Sequence, residues 1–144
     1  MLKNLFFVAL AAAVAVGIGY ADQSTSNVVI NAGRTQANNG KQMYMNYCAP
    51  CHGADGKGNG PVSGALKSPP DNLTLLSRNN GGTYPAVHVE AVLRFGTKNS
   101  AHGTTQMPVW GPVFDRMDPN SGQTNENVLR ISNLSEYLES IQAK

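Results

Sequence analysis

The sequence predicts an all-α domain with one helix near each end and long Gly/Pro-rich loops between them. Three observations lead there. Residues Thr124 to Gln142 carry a helical stripe of Val128, Ile131, Leu134, Tyr137 or Leu138, and Ile141. Residues Asn39 to Ala49 put Met43, Tyr44 and Tyr47 on one helical face and run directly into Cys48-Ala49-Pro50-Cys51-His52. Between these ends, Gly53 to Pro85 holds Gly56, Gly58, Gly60, Gly64, Gly81 and Gly82 with Pro61, Pro69, Pro70 and Pro85. An irregular stretch of that length is uncommon in a compact domain unless it is functional.

Length and composition set the frame. A chain of 144 residues suggests one domain. Hydrophobic residues make up 41% and charged residues only 14%, so the chain is globular rather than disordered. The formal net charge is +2. No run of basic residues exists, so nucleic-acid binding has no support.

The pentapeptide Cys48-Ala49-Pro50-Cys51-His52 carries the chemistry. Two thiols three residues apart, followed at once by His, is the pattern of covalent haem attachment. On about one helical turn, each thiol can add to one vinyl group of the same porphyrin. The adjoining imidazole is then held beneath the iron. Two other chemistries use Cys-x-x-Cys. A redox dithiol expects a βαβ pattern nearby, whereas a Gly-rich loop follows His52. A structural zinc site needs four ligands, and His52, His88 and His102 lack the usual paired spacing. Both cysteines of the chain lie in this motif, so none remains for a structural disulfide.

With these residues the chain resembles the class I c-type cytochromes, single-haem electron carriers, over residues 38–144. The resemblance rests on Cys48-Ala49-Pro50-Cys51-His52-Gly53, on Gly56-Lys57-Gly58-Asn59-Gly60-Pro61, and on Met107-Pro108-Val109-Trp110-Gly111. It implies a cytochrome c-like, haem-centred fold in which the N- and C-terminal helices cross. One covalently bound haem c per chain is implied, attached through Cys48 and Cys51. It also implies that Gly40, four residues before Tyr44, lets the C-terminal helix approach closely, and that a proline carbonyl, here taken as Pro61, accepts the second imidazole proton of His52. Two ionised haem propionates would turn the mature chain, with 10 basic and 9 acidic residues, slightly negative.

Taken in order, residues 1–21 read as a signal peptide. Lys3 is the positive start, Leu5 to Ile18 the apolar run, and Gly19-Tyr20-Ala21 puts small residues at −3 and −1. The run is short for a membrane span, which needs about 20 residues. Retention as an anchor is the alternative. Export fits the family, whose haem is attached outside the cytoplasm in bacteria. Residues 22–37 form a polar lead-in with one apolar run, Val28-Val29-Ile30. The first helix takes Asn38 or Asn39 as its N-cap. In the loop that follows, Leu66, Leu73, Leu75 and Leu76 are candidates for haem contact, and Asp71 to Thr74 reads as the turn into a short helix. Pro85 to Phe95 reads as a second helix ended by Gly96. Its apolar face is either Val87, Ala91 and Phe95 or Val89, Val92 and Leu93. His88 on this helix reads as a surface residue, and Arg94 as a propionate partner or a solvated side chain.

Residues 98–111 hold the second constellation. Met107 stands before Pro108 in a loop, 55 residues after His52, enough chain to return on the opposite haem face. A thioether is a soft, neutral ligand that suits haem iron opposite His. In the family the distal ligand is a Met in such a loop, and Met-Pro-x-Trp-Gly resembles one subgroup's version. Met117 and His102 are the alternatives. Trp110 carries an indole N–H for a propionate, or simply packs. Residues 112–125 read as a turn-rich connection around Asp118-Pro119-Asn120-Ser121-Gly122. Iron held by His52 and Met107 leaves no open position, so the expected role is one-electron transfer between respiratory-type redox partners (an oxidase, reductase or dehydrogenase), outside the cytoplasm and with no catalytic residue. The alternative is a haem enzyme or a gas or peroxide sensor, with Met107 labile and His102 a distal acid/base.

Overall fold

The computed structural model describes residues 33–96, 107–117 and 125–144. The leader, the Val28–Ile30 run, His102 and the Asp118 to Gly122 turn lie outside the described residues. Helix α1, Gly40–Met43, continues without a break through a π-helical stretch, Tyr44–Cys48, into α2, Ala49–His52. A 3₁₀ turn at Ser63–Ala65 and another at Leu73–Leu75 lead into the short α3, Leu76–Asn79. Then come α4, Ala86–Phe95, α5, Trp110–Met117, and α6, Glu126–Ser140. Every regular element among the described residues is a helix. Among them, no helix is long and apolar enough to cross a membrane.

The two end helices cross as the resemblance implies. Asn39 caps α1 by accepting from the Gln42 amide at 2.8 Å. A Cβ on Gly40 would lie 2.0 Å from the carbonyl oxygen of Asn133 and 3.0 Å from the Cβ of Tyr137. The backbones of α1 and α6 therefore touch where no side chain intervenes. Around the crossing, Met43, Tyr44, Ile131 and Leu134 are fully buried, and the Tyr44 and Tyr137 rings lie 5.2 Å apart. The α6 stripe is as expected except at its start, where Val128 is exposed and Arg130 is buried instead. The chain's last residues pin the loop: Gln142 accepts from the Ser77 amide and donates to the Leu73 carbonyl, both at 2.8 Å.

Helix α4 buries Val89 and Leu93, so the second of its two apolar faces is the inner one, while Val87 and Phe95 face solvent. Helix α5 departs from expectation: Trp110–Met117 is helix where the sequence suggests turns. Pro112 opens the stretch read as a turn-rich connection, yet proline is well tolerated in a helix's first turn. Behind it, Trp110, Val113, Phe114 and Met117 keep helical spacing, and burial of Trp110 and Phe114 stabilises the helix.

Gly40→Ala should lower the unfolding free energy by about 3 kcal/mol, because α1 and α6 must move apart to admit one methyl group. Urea unfolding of the haem-bearing protein, with an unchanged m-value, checks it.

Candidate functional site

Pro50 has no amide proton to donate four residues back, to Asn46, and an α-helix through it would be strained. The π-helical turn just before it absorbs the mismatch: the Ala49 amide reaches back five residues to the Tyr44 carbonyl. Cys48, Cys51 and His52 are thus delivered at a helix end whose last carbonyls need partners. The following loop supplies them all. The amides of Gly53, Gly58, Gly60 and Val62 donate to the carbonyls of Ala49, His52, Cys51 and Pro50 at 2.8, 2.7, 3.0 and 3.0 Å. The buried Tyr44 hydroxyl donates to the Gly53 carbonyl at 2.6 Å.

That loop also orients His52. Its Nδ1 lies 3.0 Å from the carbonyl oxygen of Asp71. A proton on Nδ1 leaves the Nε2 lone pair free as a donor. The acceptor is therefore Asp71, one residue beyond Pro69-Pro70, and not Pro61. The Leu73 amide, bonded to the Gly56 carbonyl at 2.7 Å, holds the 70–73 segment against the glycine loop. Gly58 makes this possible: its φ is +83°, and a Cβ there would sit 2.3 Å from the Pro70 carbonyl oxygen.

Cys48, Cys51, His52 and Met107 line one cavity of about 280 Å³. Its walls are mostly apolar: Leu66, Leu73 and Leu76 from the loop, Val89, Val92 and Leu93 from α4, and Tyr47 and Trp110 from the core. Leu75 is not among them. Met107 is 37% exposed, at the cavity's edge. His88, also exposed, stands on the rim. Met117 lies elsewhere, with its sulfur 3.6 Å from the Tyr47 hydroxyl. Met43 is buried in the helix crossing, and Met45 is exposed on the helix before the cysteines. Trp110 packs as an aromatic residue, its ring stacked 5.4 Å from Tyr47 and 5.7 Å from Phe114. Arg94 lies over the Phe95 ring at 5.9 Å.

No disulfide joins the two cysteines. Burial pushes the Cys48 thiol up to about 12, the charge of a Cys51 thiolate adding to the effect, and burial also raises Cys51. A redox dithiol needs the opposite, a depressed thiol. Among the described residues, no three His, Cys, Asp or Glu side chains are grouped to hold a metal ion. Two thiols, one for each vinyl group, with an oriented imidazole and a thioether that could face the iron, stand around one apolar cleft and fit a haem.

Sequence reasoning overlooked Tyr44, Gly58, Gly60 and Asp71 as supports of this site. The alternation of Gly56, Gly58 and Gly60 directly after the motif was the available signal. Gly58→Ala should cost about 2–4 kcal/mol of stability, from a strained φ plus the overlap with Pro70. Chemical denaturation of the haem-bearing variant measures it.

A family model described as cytochrome C oxidase, cbb3-type, subunit III matches residues 35–120, more than half of the chain. No curated protein and no solved structure gave a match. The family match, the all-helical fold and the thiol pair at the cleft agree: the chain belongs to the cbb3-type cytochrome C oxidase subunit III family and is a c-type cytochrome domain, an electron-transfer protein with covalently attached haem c.

Proposed function

We propose that Cys48 and Cys51 hold the haem by thioether bonds, that His52 and Met107 bind its iron from opposite faces, and that the protein passes single electrons to an oxidase-type partner. The observation that carries this is the one cavity lined by all four side chains, although Met107 is 55 residues from His52 in sequence. When bound, the haem supplies a one-electron change at iron. The chain's residues set its conditions. The Asp71 carbonyl fixes the His52 tautomer and raises the imidazole's donor strength. Met107 contributes a neutral sulfur, which favours the reduced state more than a second histidine would. Leu66, Leu73, Leu76, Val89 and Leu93 keep water from the cleft, and low polarity works in the same direction.

Residues 1–21 serve as an export signal, 22–37 as a lead-in and 38–144 as the cytochrome domain, working in the periplasm or otherwise outside the cytoplasm. The family's description names an oxidase subunit, which favours work within or beside an oxidase assembly over a free shuttle. Association with the membrane then comes from that assembly, or from a retained leader. One observation favours a second reading, a sensor or enzyme with a labile distal side: Met107 is 37% exposed. Carbon monoxide binding by the untreated reduced protein would support that reading.

Met107→Ala should abolish the weak near-infrared band of sulfur-to-iron ligation in the oxidised protein and lower the reduction potential by roughly 0.1–0.3 V. An unchanged low-spin spectrum would remove Met107 from the iron. Cys48→Ser with Cys51→Ser should leave any bound haem fully extractable by acid–acetone.

A further inference from the structure

Arg130 is 1% exposed, and the proposed electron transfer gives it no task. Its Nε and Nη2 donate to one carboxylate oxygen of Glu126, at 3.1 and 2.5 Å. Its Nη1 donates to Thr35 Oγ1 at 3.1 Å, with the Met43 sulfur at 3.9 Å. Thr35 in turn lies 2.8 Å from the Tyr47 hydroxyl, which lies 2.8 Å from the Gly33 carbonyl. The proton directions follow. A guanidinium can only donate, so the Thr35 oxygen accepts from Arg130. A carbonyl can only accept, so the Tyr47 hydroxyl gives its proton to Gly33, with the Met117 sulfur a longer contact at 3.6 Å, and is left to accept the Thr35 proton. One directed chain, Arg130 to Thr35 to Tyr47 to Gly33, runs through three buried side chains.

Through Tyr47 this relay reaches the cofactor cleft. The Tyr47 ring lines the cavity and stacks on Trp110 at 5.4 Å with the planes 29° apart. Trp110 opens α5, three residues after Met107. At the next residue, a Cβ on Gly111 would lie 2.5 Å from the Arg94 carbonyl oxygen, so the start of α5 is pressed onto the end of α4. The chain leading back from this point to Met107 therefore hangs from an anchor held by the end of α4, by Phe114 and, from the cavity side, by Tyr47.

We propose that Thr35 and Arg130 are positioning residues for the distal haem ligand: their hydroxyl relay fixes Tyr47, Tyr47 fixes Trp110, and Trp110 keeps Met107 at the iron. This rests on the reading of Met107 as ligand. Valine at 35 has nearly the volume of threonine but accepts no proton. It leaves a buried Arg130 donor with only a sulfur, and the Tyr47 hydroxyl without its donor. The energetic gap between ligand-on and ligand-off states then narrows, and the open state is populated more.

The test uses full-length oxidised holoprotein and added imidazole, which competes with a methionine sulfur for ferric haem iron. Loss of the near-infrared sulfur–iron band reports the exchange. Thr35→Val should bind imidazole about tenfold more tightly than the wild type. Thr35→Ser should restore the wild-type affinity. Tyr47→Phe should match Thr35→Val, and the double variant should exceed neither, because both break one chain. A Thr35→Val protein that keeps the band and the wild-type imidazole affinity overturns the inference, whatever its melting temperature. A wild-type protein without the band overturns Met107 ligation, and the inference with it. If Thr35→Val yields no holoprotein, Tyr47→Phe decides by the same two outcomes.

Discussion

A cleft through the apolar core is the constraint on which the rest depends. Leu66, Leu73 and Leu76, Val89, Val92 and Leu93, and the rings of Tyr47 and Trp110 line it. Apolar surface left against water costs roughly 25 cal/mol per Å², and a domain of this size has little core to spare. The haem that the family carries is flat and apolar over most of its area, and it supplies the missing layer. Fold and cofactor are then one problem: the loops between Gly53 and Pro85 need a surface to pack on, and the haem is that surface.

The helix crossing and the glycine loop divide the work of aligning the site. Contact between α1 and α6 at Gly40 sets where the first helix lies. The π-helical turn, Tyr44–Cys48, passes that position on through Pro50 to His52. The loop amides then close the helix end and bring the Asp71 carbonyl under the imidazole. Each support acts on backbone groups, so glycines and carbonyls matter here as much as the four side chains at the cavity. The side of the cleft at Trp110 is built differently, from stacked rings and the buried hydroxyl relay that reaches Arg130.

Legibility in the sequence followed physical range. Both end helices were readable because apolar spacing is local, and Gly40 because its neighbour four residues on is aromatic. That Cys48, Cys51, His52 and Met107 belong together was readable because thiol, imidazole and thioether are rare and chemically distinct, and the fold brings all four to one cavity. Helix α5 was hidden behind Pro112, which opens a stretch whose local reading is a turn; only burial of Trp110 and Phe114 decides otherwise. The Asp71 carbonyl was beyond reach, since any residue offers a carbonyl and only the approach of the 70–73 segment to Gly58 selects one. The burial of Arg130 was hidden for a related reason: besides Glu126, four residues back, its acceptor is Thr35, 95 residues away.

If one haem is bonded to this chain through both thiols of the pentapeptide, mass analysis of the tryptic peptide 42–57 from purified, alkylated holoprotein finds that peptide at the mass of one added haem, with neither Cys48 nor Cys51 alkylated. A peptide without haem, carrying two alkylated cysteines, rules the attachment out.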